Sequence, residues 1–322
     1  MVIGVDETGT FKLKSGNEFG LVTLVTVTDQ EWGSFQTFIN TNFPKTFGQV
    51  KGSNISINQR EKILKYIGKR SEIRYTAIIF DLNFGSARIV EAHKINQIVK
   101  IQDWIVNNLT NSQHTLIADM ELLRNQIINL STADYIKFFL VTMIFMHWQR
   151  FFQFDYLYTN ISRDKWLMHH VIDTQTKPDR FMRLVKRTLA LTTNYLNPNY
   201  GIYTPQGWKS THPFIKNHSF NGQTALQDGK KFYADFKVGN EQDNHILFLP
   251  DLIGNTIYKS IVNTDDIVLL KLLKRIKQNR SIAMTKAGRI NNYYILAGLS
   301  GTNSDVESNP IFQSHYIKMR DL

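Results

Sequence analysis

Val2-Ile3-Gly4-Val5-Asp6-Glu7-Thr8-Gly9 is the stretch on which the fold turns. Val2 to Val5 is a short apolar run of the kind that forms a buried strand. It ends at Asp6, with Glu7 next. An acid at the end of a strand stands at a sheet edge, where a site can form. Asp6 to Phe19 is mostly polar and contains Gly9 and Gly16, which predicts a hairpin connection. Gly20 to Thr28, rich in Val, Leu and Thr, is the second strand, and Glu72 to Asp81 the third. The chain therefore opens on a three-strand meander with an insertion before its last strand.

Helical spacing dominates the middle of the chain. Ile63, Leu64 and Ile67 mark a helix over 57–67 with Ser56 as its N-cap. Further helices are predicted over 87–109, 133–152 and 179–195. His114 to Asp119 reads as a short strand and Trp166 to Asp173 as another. Ile246 to Ile261 reads as an apolar helix or a strand-to-helix junction. The segment from Asn197 to Gly239 is rich in Gly, Asn, Pro and His and reads as irregular; Asn303 to Asn309 reads as an exposed loop. Strands, helices, strand and helix in that order suit a mixed sheet with helices packed on it. There is no internal repeat.

Bulk composition narrows the chemistry. The 322 residues suffice for a large core, and the absence of cysteine excludes disulfides, thiolate metal sites and a Cys nucleophile. Lys and Arg number 38 against 27 Asp and Glu, a net charge of +11 that favours a phosphate-bearing partner. Met1 is followed at once by a strand, so no secretory leader is expected. Phe138 to Trp148 is too short to span a bilayer and reads as a buried helix. A cytoplasmic protein without membrane contact is the expectation.

Three acids fall at ends of elements: Asp6 and Asp173 at strand ends, Asp251 at the start of Asp-Leu-Ile-Gly-Asn-Thr-Ile-Tyr. Each alone is an ordinary cap or turn residue, and Asp251 is a favoured helix-start residue. Together they are what metal-dependent phosphodiester cleavage requires, namely carboxylates converging on hard cations about 4 Å apart. Asp119, after Thr115-Leu116-Ile117-Ala118, is the alternative to Asp173, and Asp81 reads equally as a turn residue. His169 and His170 are adjacent and so point to opposite strand faces; His212 and His218 fall in the irregular segment. Basic side chains cluster in Lys271-Leu-Leu-Lys274-Arg275-Ile-Lys277-Gln-Asn-Arg280, a candidate phosphate track. Arg183, Lys186 and Arg187 form a second basic helix face.

The opening Asp6-Glu7-Thr8-Gly9 resembles the Asp-Glu-Ser-Gly first-strand motif of the RNase H-like family catalogued as domain of unknown function 3800. Three further stretches resemble it in order. Val50-Lys51-Gly52-Ser53 looks like its Lys-x-Ser element, His170-Val171-Ile172-Asp173 its strand ending in Asp, and Leu247 to Gly254 its late Ala-Asp-Leu-Ile helix. The likeness spans about residues 1–262. It implies an α/β, RNase H-like mixed sheet flanked by helices, with helical insertions, and a basic C-terminal extension over 263–322. It also implies a nuclease dependent on Mg²⁺ or Mn²⁺, acting on RNA, DNA or a hybrid, in mobile-element or antiviral defence biology.

On that reading Asp6, Asp173 and Asp251 hold metal, with Glu7 a fourth acid. Lys51 and Ser53 hold phosphate, and Lys274, Arg275 and Lys277 carry the strand. A protein partner or homo-oligomer is open. The family often has Glu where Gln49 stands, and Ala where Pro250 stands. An amide holds a cation less strongly than a carboxylate, so a catalytically inactive nucleic-acid-binding or scaffolding subunit is the alternative.

Overall fold

A computed structural model describes residues 2–9, 11, 19–43, 55–70, 72–81, 87–108, 114–156, 169–172, 178–194, 215–220, 223–227, 236–238 and 245–262. The protein is a mixed α/β structure. The meander is present: β1 (Val2–Gly9), β2 (Phe19–Val27) and β3 (Ile73–Asp81) pair antiparallel, from Val2 against Val27 to Gly9 against Gly20, and from Phe19 against Asp81 to Val27 against Ile73. β1 continues past its apolar run, so Asp6 lies inside the strand and not at its end. β4 (His169–Ile172) joins the other side of β1 in parallel, and β7 (Phe236–Val238) runs parallel to β4. The sheet order is β3-β2-β1-β4-β7, which makes β1 the central strand. A separate hairpin pairs β5 (Ile215–Phe220) with β6 (Gln223–Gln227).

Helices fill the connections: α1 (Asp29–Asn42), α2 (Ile57–Ile67), α3 (Ala87–Asn108), α4 (His114–Ile128), α5 (Thr132–Tyr156), α6 (Pro178–Asn194) and α7 (Phe248–Val262). α2 begins where its sequence says. The Ser56 hydroxyl accepts from the Gln59 amide at 3.3 Å, and the Gln59 side chain accepts from the Ser56 amide at 3.2 Å, a capping box that satisfies two N-terminal donors reciprocally. α5 buries Tyr135, Ile136, Phe138, Leu140, Val141, Ile144 and Phe145. No helix among the described residues is long and apolar enough to cross a membrane.

Three expectations are corrected. Residues 114–119 open helix α4 and are not a strand; the buried Leu116, Ile117, Met120, Leu123 and Ile127 recur at helical spacing over a longer window than the run first read. The segment 197–239 holds strands β5, β6 and β7. α1, absent from the sequence expectation, is capped by the Thr28 hydroxyl and buries Phe35 and Ile39. The predicted extension over 263–322 lies outside the described residues.

Side-chain alternation divides β1 between two helix layers. Ile3, Val5 and Glu7 face one way, toward α5, whose Lys137 reaches Glu7. Gly4, Asp6 and Thr8 face the other, where α7 packs on β1 and β2. α2 backs α7 through the buried Arg60, while α3 and α6 pack with α5, and α4 with α3 and α6.

Candidate metal site on the central strand

Two glycines set how closely α7 lies on β1. A Cβ at Gly4 would stand 3.0 Å from the Ile246 carbonyl oxygen and 3.3 Å from Cδ of Pro250. One at Gly254 would stand 2.6 Å from the Thr8 hydroxyl oxygen and 2.9 Å from that of Thr23. Ile246 thus covers Gly4 and Gly254 covers Thr8. The four strand steps between Gly4 and Thr8 span about 13 Å, and eight helical steps from Ile246 to Gly254 about 12 Å. Helix and strand therefore run side by side in the same direction. Asp6, midway between Gly4 and Thr8 on that face, lies level with the first turn of α7, which carries Asp251.

Both carboxylates are buried, each at 8% exposure. Asp251 is steadied by Asn255, one turn on, whose side-chain amide donates to the Asp251 carboxylate and, at 2.9 Å, to its backbone carbonyl. Thr23 pairs directly across from Asp6, and its hydroxyl and that of Thr8 are buried without a hydrogen-bond partner among the described residues. Such orphaned groups are uncommon in folded interiors, and both stand on the face that carries Asp6.

Cations surround the α7 side. Arg60 of α2 is fully buried; its guanidinium donates to the Leu252 carbonyl at 3.2 Å and to the Thr256 hydroxyl at 2.7 Å. Burial, then the charge of Arg60, lower the proton affinity of Lys259 below the usual lysine range, while Asp251 opposes the shift. Asp251, Arg60 and Lys259 thus share one electrostatic neighbourhood.

The remaining candidates divide. Glu7 is placed on the opposite face from Asp6, in an ion pair of 2.5 Å with Lys137, whose ammonium also lies 5.3 Å from the Phe11 ring centroid. Adjacent strand residues point to opposite faces, so Glu7 and Asp6 do not stand on the same face of β1. Asp119 lies within α4, 49% exposed and 3.8 Å from Arg187, which removes it as a strand-end alternative. Asp173 is outside the described residues, although β4 reaches Ile172, paired with Val5. Gln49, Lys51, Ser53, Lys274, Arg275 and Lys277 are also outside them. Among the described residues no group of three or more His, Asp or Glu side chains could hold a metal ion. Thr23, Arg60 and Asn255 were not singled out from sequence; Thr23 was open to inference once β1 and β2 were read as paired.

Comparison with protein-family models, with curated proteins and with solved structures gave no match to this chain.

Proposed function

We propose that this protein is an RNase H-like, divalent-metal-dependent nuclease whose metal ligands are Asp6, Asp251 and Asp173. The observation that carries the proposal is the arrangement around β1. The central strand presents Asp6 to the first turn of α7, which bears Asp251, and the β1–β4 register leaves Val5 beside Ile172. That register stops one residue short of Asp6 on one strand and of Asp173 on the other. The sheet order β3-β2-β1-β4-β7, antiparallel then parallel, makes a mixed sheet flanked by helices, the architecture that the RNase H-like resemblance implies.

The donor set suits a hard cation. Carboxylate and hydroxyl oxygens are what Mg²⁺ and Mn²⁺ take, and Mg²⁺ needs few protein acids because it keeps several waters. Asp6 and Asp251 would hold it, with the orphaned Thr8 and Thr23 hydroxyls beside them. When bound, such an ion supplies Lewis-acid polarisation of a phosphoryl oxygen and acidifies water. The chain's own part is to hold two buried carboxylates, with Asn255 orienting Asp251. The net charge of +11 favours an anionic polymer as substrate.

A second reading is a catalytically inactive nucleic-acid-binding or scaffolding subunit. Gln49 favours it, since an amide holds a cation less strongly than a carboxylate. The two separate in one experiment: thermal melting with Mn²⁺ and cleavage of DNA, RNA and hybrid substrates, on the wild type and on Asp6→Asn. The nuclease reading expects metal to raise the wild-type Tm by mass action. It expects Asp6→Asn to lose that rise and all cleavage while retaining nucleic-acid binding. A wild type indifferent to Mg²⁺ and Mn²⁺, with and without nucleic acid, overturns it.

A further inference from the structure

α6 carries an arginine- and lysine-rich face that the carboxylate site does not use. Arg180, Arg183 and Lys186 are exposed, while the intervening Phe181, Leu184 and Val185 are buried. At 3.6 residues per turn the three cations fall within an arc of about 120°, and they rise about 9 Å along the axis. Arg187, on the same side, meets Gln126 at 2.9 Å and Asp119 at 3.8 Å. In sequence the only acid on α6 is Asp179.

The position of this row matters as much as its charge. β4 is parallel to β1, so its C-terminal end at Ile172 lies at the sheet edge toward which β1 runs through Asp6. α6 begins at Pro178, six residues later, which places its first turn within about 22 Å of that edge. A row of cations this near the edge toward which β1 runs can meet phosphates of a polymer docked there. Over about 9 Å, one strand of a duplex presents roughly three phosphates.

We propose that Arg180, Arg183 and Lys186 form a docking surface for the sugar-phosphate backbone of the nucleic-acid substrate. This rests on the nucleic-acid reading above but not on catalysis. α2 supplies a matched comparison: Lys62, Lys65 and Lys69 are also exposed and similarly spaced, and Lys65 is held 2.5 Å from Glu61.

The test measures binding of a labelled DNA duplex to the full chain between about 50 and 200 mM salt. Arg180→Gln/Arg183→Gln/Lys186→Gln should flatten the slope of log affinity against log salt by about 2 to 3, since each duplex contact contributes about 0.9. Its melting temperature should stay near that of the wild type, which shows that the loss is not one of folding. Lys62→Gln/Lys65→Gln/Lys69→Gln removes the same charge and should change the slope by less than one contact's worth, below about 0.9. Equal slopes for wild type and the α6 variant, or equal losses in both variants, overturn the proposal. So does a wild type that binds phosphatidylserine vesicles as tightly as duplex DNA. A wild type with no salt-dependent nucleic-acid binding at all overturns the functional reading as well; a slope that persists in the α6 variant overturns this inference alone.

Discussion

The two faces of β1 are built by opposite rules. Toward α5 the strand shows Ile3 and Val5, and its one charge, Glu7, is matched by Lys137 at 2.5 Å. Toward α7 it shows Gly4, Asp6 and Thr8: a missing side chain, a buried acid and an unpartnered hydroxyl. The first face is apolar and neutralised, as a core should be. The second keeps polar groups in a place where burial alone would favour leucine. Local departures from good packing tend to sit where function needs them, and on the proposed reading the difference between adjacent residues of one strand separates scaffold from site.

Breaking the close approach of α7 should have the largest effect. Gly254→Ala puts a methyl group 2.6 Å and 2.9 Å from the Thr8 and Thr23 hydroxyl oxygens, and 3.3 Å from Cδ1 of Leu21. Overpacking of this kind costs up to about 3 kcal/mol, against about 1 gained in helix propensity. A net loss of up to about 2 kcal/mol is expected by chemical denaturation, together with loss of Mn²⁺ binding. A variant as stable as the wild type would mean that α7 does not lie this close to the sheet.

The α5 face should respond next. Lys137→Met removes the ammonium 2.5 Å from Glu7, a carboxylate that is only 15% exposed. The expected loss is about 2 kcal/mol, below the range for a fully buried pair because some water reaches both groups. Glu7→Gln/Lys137→Met together should recover most of it, with Mn²⁺ binding unchanged throughout. Loss of metal affinity in Glu7→Gln would return Glu7 to the site.

How much was legible in the sequence depends on the range of the forces involved. Ser56 and Gln59 announce α2 because a capping box is local. The runs behind β1, β2, β3, α3, α5 and α6 carry their own periodicity. α1 was readable in part from Thr28, Phe35 and Ile39, but Gly33 and Ser34 interrupt the pattern. β5, with Lys216, Asn217, His218 and Ser219, has almost no apolar signal, and pairing with β6 makes it a strand. Asp251 was legible as a helix-start acid, whereas Asp6, read as a strand-end acid, lies inside β1. That Gly4 and Gly254 let them share a level was not legible, because the contact joins opposite ends of the described chain. The separation of Glu7 from Asp6 was available all along from strand alternation.

The helix layer over the Glu7 face has a pH signature of its own. His93 of α3 meets the Tyr135 hydroxyl at 2.8 Å and the edge of Phe139, with centroids 5.0 Å apart. Burial, then the charge of Lys100, lowers its pKa from 6.5 to about 4. The folded state thus keeps His93 neutral where the unfolded chain would protonate it. That stability is fully present above about pH 6.5 and is lost as the pH falls toward about 4. Allowing for partial exposure, about 1–2 kcal/mol should be lost across this window. His93→Gln should remove that part of the slope between pH 7 and 4, measured by denaturation at each pH; an unchanged slope would assign it to carboxylates.

The smallest effect returns to the other face with the opposite sign. Thr23→Val replaces a fully buried hydroxyl that has no hydrogen-bond partner by a methyl group of nearly the same shape. If the α7 face were ordinary core, removing an unsatisfied buried polar group should stabilise the protein by about 1 kcal/mol and do nothing else. On the metal-site reading the same stabilisation is expected without metal, because the hydroxyl is retained for what it does beside Asp6, not for folding. Affinity for Mn²⁺ should then fall several-fold in Thr23→Val, and the gap in Tm between wild type and variant should narrow or reverse as Mn²⁺ is added. Thr142, a third buried hydroxyl without a partner, lies on α5 in the other layer and is the control. Thr142→Val should stabilise by a similar amount at every metal concentration. If Thr23→Val and Thr142→Val behave alike as Mn²⁺ is titrated, the orphaned hydroxyl on β2 is a packing compromise, and the two faces of the sheet differ in packing but not in purpose.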